Sequence, residues 1–471
     1  MKLGKKTKIV CTIGPSTETT AKLAELVEAG MNVMRLNFSH GTHEEHQARV
    51  DSIRAVMKRT GKTVAILQDL SGPKIRIGDF KTVSVTLVAG QKFTLTTRDV
   101  VGDETIAHVN YPLLPKELKV GGIVFLHDGR LKLVVTEIRG DDVITEIKVG
   151  GTIKGRRGVN LPGAYLSMSS ITDKDREDVK FGIRNDVDFV TLSFVRRPAD
   201  LVELRSILDK AGCKAHIIAK IETPEALENI DEIIGLSDGI MVARGDLAIE
   251  IPAEDVPVIQ KLLIRKCNEA GKPVITATQM LESMIKNPVP TRAEVSDIAN
   301  AIIDGTDAVM LSEETTLGDF PIEAVKVMTR VAMRIEDEVY TRDTIAEYDE
   351  SHGVTDVVSQ SAVRAAHNVG AKFIVALTRS GNTARMVARY RPAERVLALT
   401  DMPENAARLM LVFGCYPLVV PTFKTVDEIM KIVRKAALDK DLAEKGDKVV
   451  IVAGMPFGES STTNFTLVET L

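Results

Sequence analysis

At 471 residues the chain is too long for one hydrophobic core, and 44% hydrophobic with 27% charged residues is the composition of a globular protein of two or three domains. Its 61 basic and 65 acidic residues give a net charge of −4, without the basic excess that nucleic-acid and membrane-surface proteins set against phosphate. Cys11, Cys213, Cys267 and Cys415 form no CxxC pair and no run of 18 apolar residues occurs, which argues against a disulfide or zinc framework and against a membrane span. The opening MKLGKKTKIVC reaches core-like sequence without an apolar leader, so a cytoplasmic location is expected.

Short β-branched runs then alternate with helical patterns: 7–14, 31–39, 63–70, 187–195, 215–222, 239–247, 273–280 and 307–315. Parallel βα units read this way, and eight in about 240 residues match a closed (β/α)8 TIM barrel. Thr42 with Glu45 makes a capping box, and Gly30 and Gly61 stand as helix stops. Between about 73 and 170 the pattern changes to period-2 strands such as VSVTLV, KFTLTT and LKLVVTEI. That predicts a small antiparallel β-barrel domain inserted after strand three, on the catalytic face, as a lid. From 345 a polar stretch leads to an open-sheet α/β domain. Its strands are expected near 373–378, 396–400, 416–420 and 448–454, and its helices at 382–390, 403–413 and 425–445. The terminal TNFTLVETL is a candidate edge strand. The expected domains are 1–72 with 171–344, 73–170, and 345–471.

Polar residues interrupt the barrel strands at their C-terminal ends: Arg35, Asn37, Ser39, Asp69, Ser193, Lys220, Glu222, Arg244, Gly245, Asp246, Thr276, Thr278, Ser312 and Glu314. Eight strand ends converge on one mouth, and Lys220 and Glu222, two apart, face the same side. Glu222 and Asp246 are hard oxygen donors on neighbouring strands and suit Mg2+, which keeps part of its hydration. The alternative is that both are paired to Lys220 and Arg244 with no metal. Arg35 and Lys220 could neutralise a phosphoryl group, and Gly245 would let backbone N–H groups approach a carboxylate. Three signals are set aside. Gly61-Lys62-Thr63 precedes its strand, unlike a P-loop; His40, His43 and His46 suit capping better than a metal; Gly150-Gly151 is a turn.

Along nearly its whole length the sequence resembles the pyruvate kinases, through MRLNFSHG (34–41), GPKIR (72–76), GVNLPG (158–163), AKIETPEAL (219–227), MVARGDLAIE (241–250), TATQMLESMIKNPVPTRAEVSDIANAI (276–302) and DGTDAVMLSEET (304–315). The resemblance implies phosphoryl transfer from phosphoenolpyruvate to ADP, with Mg2+ or Mn2+, in a homotetramer regulated by a phosphorylated metabolite. It implies that Arg35, Lys220, Gly245, Asp246 and Thr278 hold phosphoenolpyruvate, that Lys220 stabilises the transition state, and that Glu222 and Asp246 bind the metal. Nucleotide contacts would fall on Asn37, Phe38, Ser39, His40, Arg76 and Arg157, and an effector phosphate on Thr378, Arg379, Ser380, Gly381, Asn382 and Thr383. Family K+ positions match Asn37, Ser39, Asp69 and the Leu70 carbonyl, but K+-requiring members carry glutamate where this chain has Lys74. The tethered ammonium is expected to make K+ dispensable. Other departures are Arg157 for lysine, Glu313 for a small residue, and His127-Asp128-Gly129 for a pair of aspartates. Two other readings remain: a metal-dependent aldolase or lyase on the same barrel, which leaves the lid unused, and a sugar-phosphate sensor on a dead kinase, which leaves Lys220, Glu222, Asp246 and Thr278 unexplained.

Overall fold

The eight apolar runs form parallel strands: Lys8–Thr12, Val33–Asn37, Ala65–Asp69, Phe189–Leu192, His216–Ile221, Gly239–Ala243, Val274–Ala277 and Ala308–Leu311. The structure is a computed structural model and describes all residues except 1–3, 342–345, 347, 349–352, 424, 439–441 and 457–461. The strands close into one barrel in which the eighth returns to the first, with Lys8 opposite Ala308 and Val10 opposite Val33. Helices follow the expected punctuation. Thr42 and Glu45 form a reciprocal capping box, and Gly61 ends that helix at φ 67°, a left-handed conformation glycine adopts without a Cβ clash.

The inserted segment folds as a six-stranded sheet and a two-stranded ribbon around one core that includes Leu87, Phe93, Leu133 and Ile153. One pair departs from the antiparallel expectation: Lys92–Thr96 runs parallel to Ile106–His108. The segment between them is drawn aside, where Gly102 exchanges backbone bonds with Asp79 and Lys81, and it re-enters in its original direction. Alternation in sequence reports which side chains are buried, not which way the next strand runs.

The C-terminal sheet has the order Cys415–Val419, Arg395–Thr400, Phe373–Leu377, Lys448–Gly454, Thr463–Thr470, with the last strand antiparallel at the edge, as TNFTLVETL suggested. The helix expected over 382–390 ends at Ala388, and that over 403–413 ends at Arg408 with a 3-10 turn, Leu409–Leu411. There the Phe413 amide donates to Asp307 and its ring packs edge-on against Tyr340, which pulls the chain out of the helix. Most of the polar stretch after 341, the expected boundary at 344–345, and residues 439–441 of the helix expected over 425–445 lie outside the described residues. The domain docks where barrel strands begin: Arg391 pairs with Asp307 at 3.0 Å, and Lys8 donates to the Cys415 carbonyl. The strand C-termini are left facing the inserted domain. Among the described residues, no helix is long and apolar enough to cross a membrane.

Candidate active site

At the barrel mouth, alternation on strand five puts Lys220 Nζ 2.8 Å from Glu222 Oε1, and strand three brings Asp69 Oδ1 to 3.8 Å. Lys220 Nζ also donates to Ser193 Oγ at 2.9 Å, and that hydroxyl donates to the Leu70 carbonyl at 2.7 Å. Burial works against the ammonium, but Asp69, Glu222 and Asp246 outweigh it and hold Lys220 above its usual range. Arg35 is clamped from two sides: its Nε donates to Asp69 Oδ2 and a terminal nitrogen to Thr12 Oγ1, both at 2.7 Å. Asp69 is almost fully buried; burial pushes its carboxyl up, yet Lys220 and Arg35 pull harder and keep it ionised.

Glu222 is fully buried, and burial pushes its carboxyl up against the pull of Lys220. Its Oε2 accepts the Phe194 amide at 2.7 Å. Its Oε1 meets the Lys220 ammonium at 2.8 Å and no other donor, and Asp69 Oδ1 has no hydrogen-bond partner. A fully buried carboxylate oxygen that meets only cationic groups is one a divalent cation can share. Asp246 lies next door in the first turn of the helix Arg244–Glu250. Arg244 does not neutralise it. That guanidinium is spent on Asp297 at 2.6 Å and on the carbonyls of Ala277 and Thr278. The metal-free pairing weighed from the sequence therefore holds for Glu222 with Lys220 but not for Asp246 with Arg244. Glu222 and Asp246 together are a hard-oxygen set that fits Mg2+ or Mn2+.

Thr278 directly follows strand seven at φ 69°, an outlier for a β-branched residue. Its hydroxyl accepts the Gly245 amide at 2.8 Å and donates to the Ala277 carbonyl at 2.6 Å. The Gly245 N–H read from sequence as a ligand contact is thus held by Thr278. Glu314 accepts the amides of Ser312 at 2.7 Å and Leu281 at 3.0 Å, so the turn after strand eight is tied with Glu313 exposed in front of it.

A cleft of about 190 Å3 opens between lid and barrel, lined by Lys74, Asp128, Asn160, Phe194, Arg196, Asp246 and Glu250 among others. Asn37 Oδ1 accepts the Ser39 amide at 3.1 Å, and Ser39 Oγ meets Ser71 Oγ at 3.4 Å. Burial lowers the His40 pKa, and the charges of Lys74, Arg76 and Arg35 lower it further, so these cations gather at one edge of the mouth. Phe38 turns inward instead: its ring stacks on His46 at 4.1 Å, and its amide donates to Asp69 O. Arg157 is exposed in the lid, where its charge acts on His127. Two of the three spaced histidines, His43 and His46, are structural. His43 binds Asp178 at 2.8 Å, and burial pushes His46 down to about 4.

Comparison with known proteins agrees. Residues 4–325 match the family model described as "Pyruvate kinase, barrel domain", and residues 356–469 match "Pyruvate kinase, alpha/beta domain". The chain belongs to the pyruvate kinase family. It is 48% identical over 472 residues to the pyruvate kinase of Geobacillus stearothermophilus, covering 99% of this chain and 80% of that one. With the pyruvate kinase of Sporosarcina psychrophila it shares 47% identity over 468 residues, covering 98% and 79%. A crystal structure of a pyruvate kinase from Cryptosporidium parvum superposes with a TM-score of 0.91 at 39% identity, covering 99% of this chain and 96% of that one. The chain is therefore a transferase of this family. Sequence reading missed Phe194, Arg196 and the Asn160–Glu250 contact, although GVNLPG and MVARGDLAIE contain the last two residues. The available signal was that each motif carries a polar residue with no assigned partner, Asn160 in the first and Glu250 in the second.

Proposed function

We propose that this mouth carries the family reaction, in which phosphoenolpyruvate gives its phosphoryl group to ADP to form pyruvate and ATP, with the residues in the following roles. Arg35 and Lys220 bind the phosphoryl oxygens. Glu222 and Asp246 hold Mg2+ or Mn2+, which when bound supplies charge neutralisation for those oxygens. Asp246 and Thr278 position the substrate carboxylate and enol, with Gly245, whose amide Thr278 holds, leaving room beside them for the carboxylate. Asn37, Phe38, Ser39, His40, Arg76 and Arg157 form the nucleotide side, with Phe38 contributing backbone only. The ADP β-phosphate oxygen attacks phosphorus in line, the bond from phosphorus to the enol oxygen breaks, and Lys220 offsets the negative charge on the departing enolate. The enolate then takes a proton at its methylene carbon. Thr278 serves as a relay, because an unperturbed hydroxyl is too weak an acid to be the source.

The observation that carries this reading is the pairing of an ammonium held charged with a fully buried carboxylate oxygen that meets no other donor, Lys220 beside Glu222 Oε1. The test is pyruvate release from phosphoenolpyruvate and ADP, coupled to NADH oxidation, with ATP measured in parallel. Pyruvate without ATP, or no product with Mg2+ present, would sink it.

The same reading places the domains at 1–72 with 171–344, 73–170, and 345–471, and the protein in the cytoplasm as a homotetramer, which light scattering checks. A phosphorylated metabolite is proposed to bind at Thr378, Arg379, Ser380, Gly381, Asn382 and Thr383. Supporting this, Gly381 is left-handed at φ 84° and the Thr383 hydroxyl meets that of Thr463 at 2.9 Å. Residues 457–461 of the neighbouring segment lie outside the described residues. A panel of sugar phosphates and nucleotides that neither binds nor activates would remove the effector site.

A further inference from the structure

Strand four, Phe189–Leu192, is followed by Ser193-Phe194-Val195-Arg196, and nothing in the family motifs assigns Phe194 a task. Its backbone is left-handed at φ 53°, a conformation a bulky aromatic residue rarely takes. Such a conformation persists only where the surroundings over-determine it. Here three contacts do so. The Phe194 amide donates to Glu222 Oε2 at 2.7 Å. Its carbonyl accepts Ser170 Oγ at 2.9 Å, where the chain returns from the lid. Its ring lies against Gly72, where the chain enters the lid: a Cβ on Gly72 would stand 3.1 Å from Phe194 Cδ2. Arg196 fastens the same return segment by donating to the Leu166 carbonyl at 3.0 Å and to Ser170 Oγ at 3.3 Å.

The consequence falls on Glu222. One carboxylate oxygen is occupied by the Phe194 amide, and the other, Oε1, meets only the Lys220 ammonium at 2.8 Å. φ sets the angle between a residue's N–H and its own ring and carbonyl. With the ring held at Gly72 and the carbonyl at Ser170, an extended or right-handed value would turn the Phe194 N–H away from Glu222, and the carboxylate could rotate to share both oxygens with Lys220. We propose that Phe194 is a positioning residue for the divalent cation: its left-handed turn, pinned between the two lid connections, fixes which oxygen of Glu222 is presented to the metal. This rests on the metal reading of Glu222 given above. Outer contacts that orient a ligand commonly set metal affinity as much as the ligand itself.

The test is binding of Mn2+ to the full chain without substrates, followed by the loss of the free-ion electron paramagnetic resonance signal. Four proteins are compared: wild type, Glu222→Gln, Phe194→Gly and Phe194→Val. Both Phe194 variants lose the ring, but glycine adopts the left-handed conformation freely and valine resists it. Phe194→Val is expected to weaken Mn2+ about tenfold, and Phe194→Gly by no more than about threefold. Should Phe194→Val fail to fold, Phe194→Ala against Phe194→Asn makes the same comparison, since asparagine tolerates the conformation. Equal affinities in the two Phe194 variants would overturn the positioning role. If wild type binds no Mn2+, or Glu222→Gln binds it as tightly as wild type, it is the metal reading that fails.

Discussion

Lys220 Nζ lies 2.8 Å from Glu222 and 3.8 Å from Asp69, so much of its charge is balanced before a substrate arrives. What remains matters most when charge develops on the leaving enolate. Lys220→Met is therefore expected to lower kcat on the order of a thousandfold while the KM for phosphoenolpyruvate changes by less than about tenfold. Near-normal turnover would take Lys220 out of the mechanism. A second residue-scale expectation concerns Lys74. Asp69 Oδ1 lacks a hydrogen-bond donor, and the nearby oxygens match the family's K+ positions, yet the charge of Lys74 already acts on Asp69 and on His40. Like-charge repulsion disfavours K+ beside that ammonium. Activity in tetramethylammonium salts with saturating Mg2+ should be close to that with added K+ at equal ionic strength, and Lys74→Glu should create a K+ stimulation. A large stimulation of wild type would overturn the claim. The residues of this site were legible because Arg35, Asp69, Ser193, Lys220 and Glu222 are polar interruptions of apolar strands. Phe194 was not, because the sign of its φ depends on Glu222, Ser170 and Gly72, which are remote in sequence.

The helix Arg244–Glu250 joins two functions in seven residues, with Asp246 in its first turn and Glu250 in its last. Four residues apart, the two carboxylates share a face that lines the cleft. Glu250 Oε1 accepts Asn160 Nδ2 of the lid at 3.1 Å. Burial pushes the Glu250 carboxyl up to about 7, Asp246 and Glu222 add to the rise, and Asn160 opposes it. A carboxyl raised in the folded state favours folding below its unfolded value near 4.5, and that stability is lost as pH rises through about 7. Glu250→Gln keeps an acceptor for Asn160 and has no charge to bury. It should melt above wild type at pH 8, by on the order of 1–2 kcal/mol, and match it near pH 4.5. Equal melting at pH 8 would show that the carboxylate is buried at no cost. At this scale the sequence spoke clearly wherever periodicity decides the element, as in all eight barrel strands. It read the parallel pair in the lid as antiparallel and was silent on strand order in the C-terminal sheet. Both are set by long-range pairing that a period-2 pattern does not encode.

The barrel and C-terminal domain meet at a charged seam that no local pattern announces. Arg391 Nη2 lies 3.0 Å from Asp307 Oδ2, both are buried, and they are 84 residues apart. Arg391 also donates to the Gly305 carbonyl at 2.6 Å, while Asp307 accepts the amides of Phe413 at 2.9 Å and Val274 at 3.1 Å. Asp307 immediately precedes strand eight, and Arg391 follows the helix Asn382–Ala388 that begins at the proposed effector turn. One rigid helix and one ion pair therefore connect that turn to the barrel. Breaking a buried pair on one side leaves the other charge without its partner, so Arg391→Met should cost roughly 3–5 kcal/mol. Asp307→Asn alone should also be costly, because Arg391 then loses its counter-charge. The double variant removes both charges and should be destabilised by clearly less than the sum of the two, which urea unfolding of all four proteins measures. Additive losses would mean that the two residues act separately and that the seam is held elsewhere. If the seam also carries regulation, the double variant should still bind an activating phosphorylated metabolite while the resulting shift in the KM for phosphoenolpyruvate disappears. Retention of the full shift would show that the signal crosses between the domains by another route.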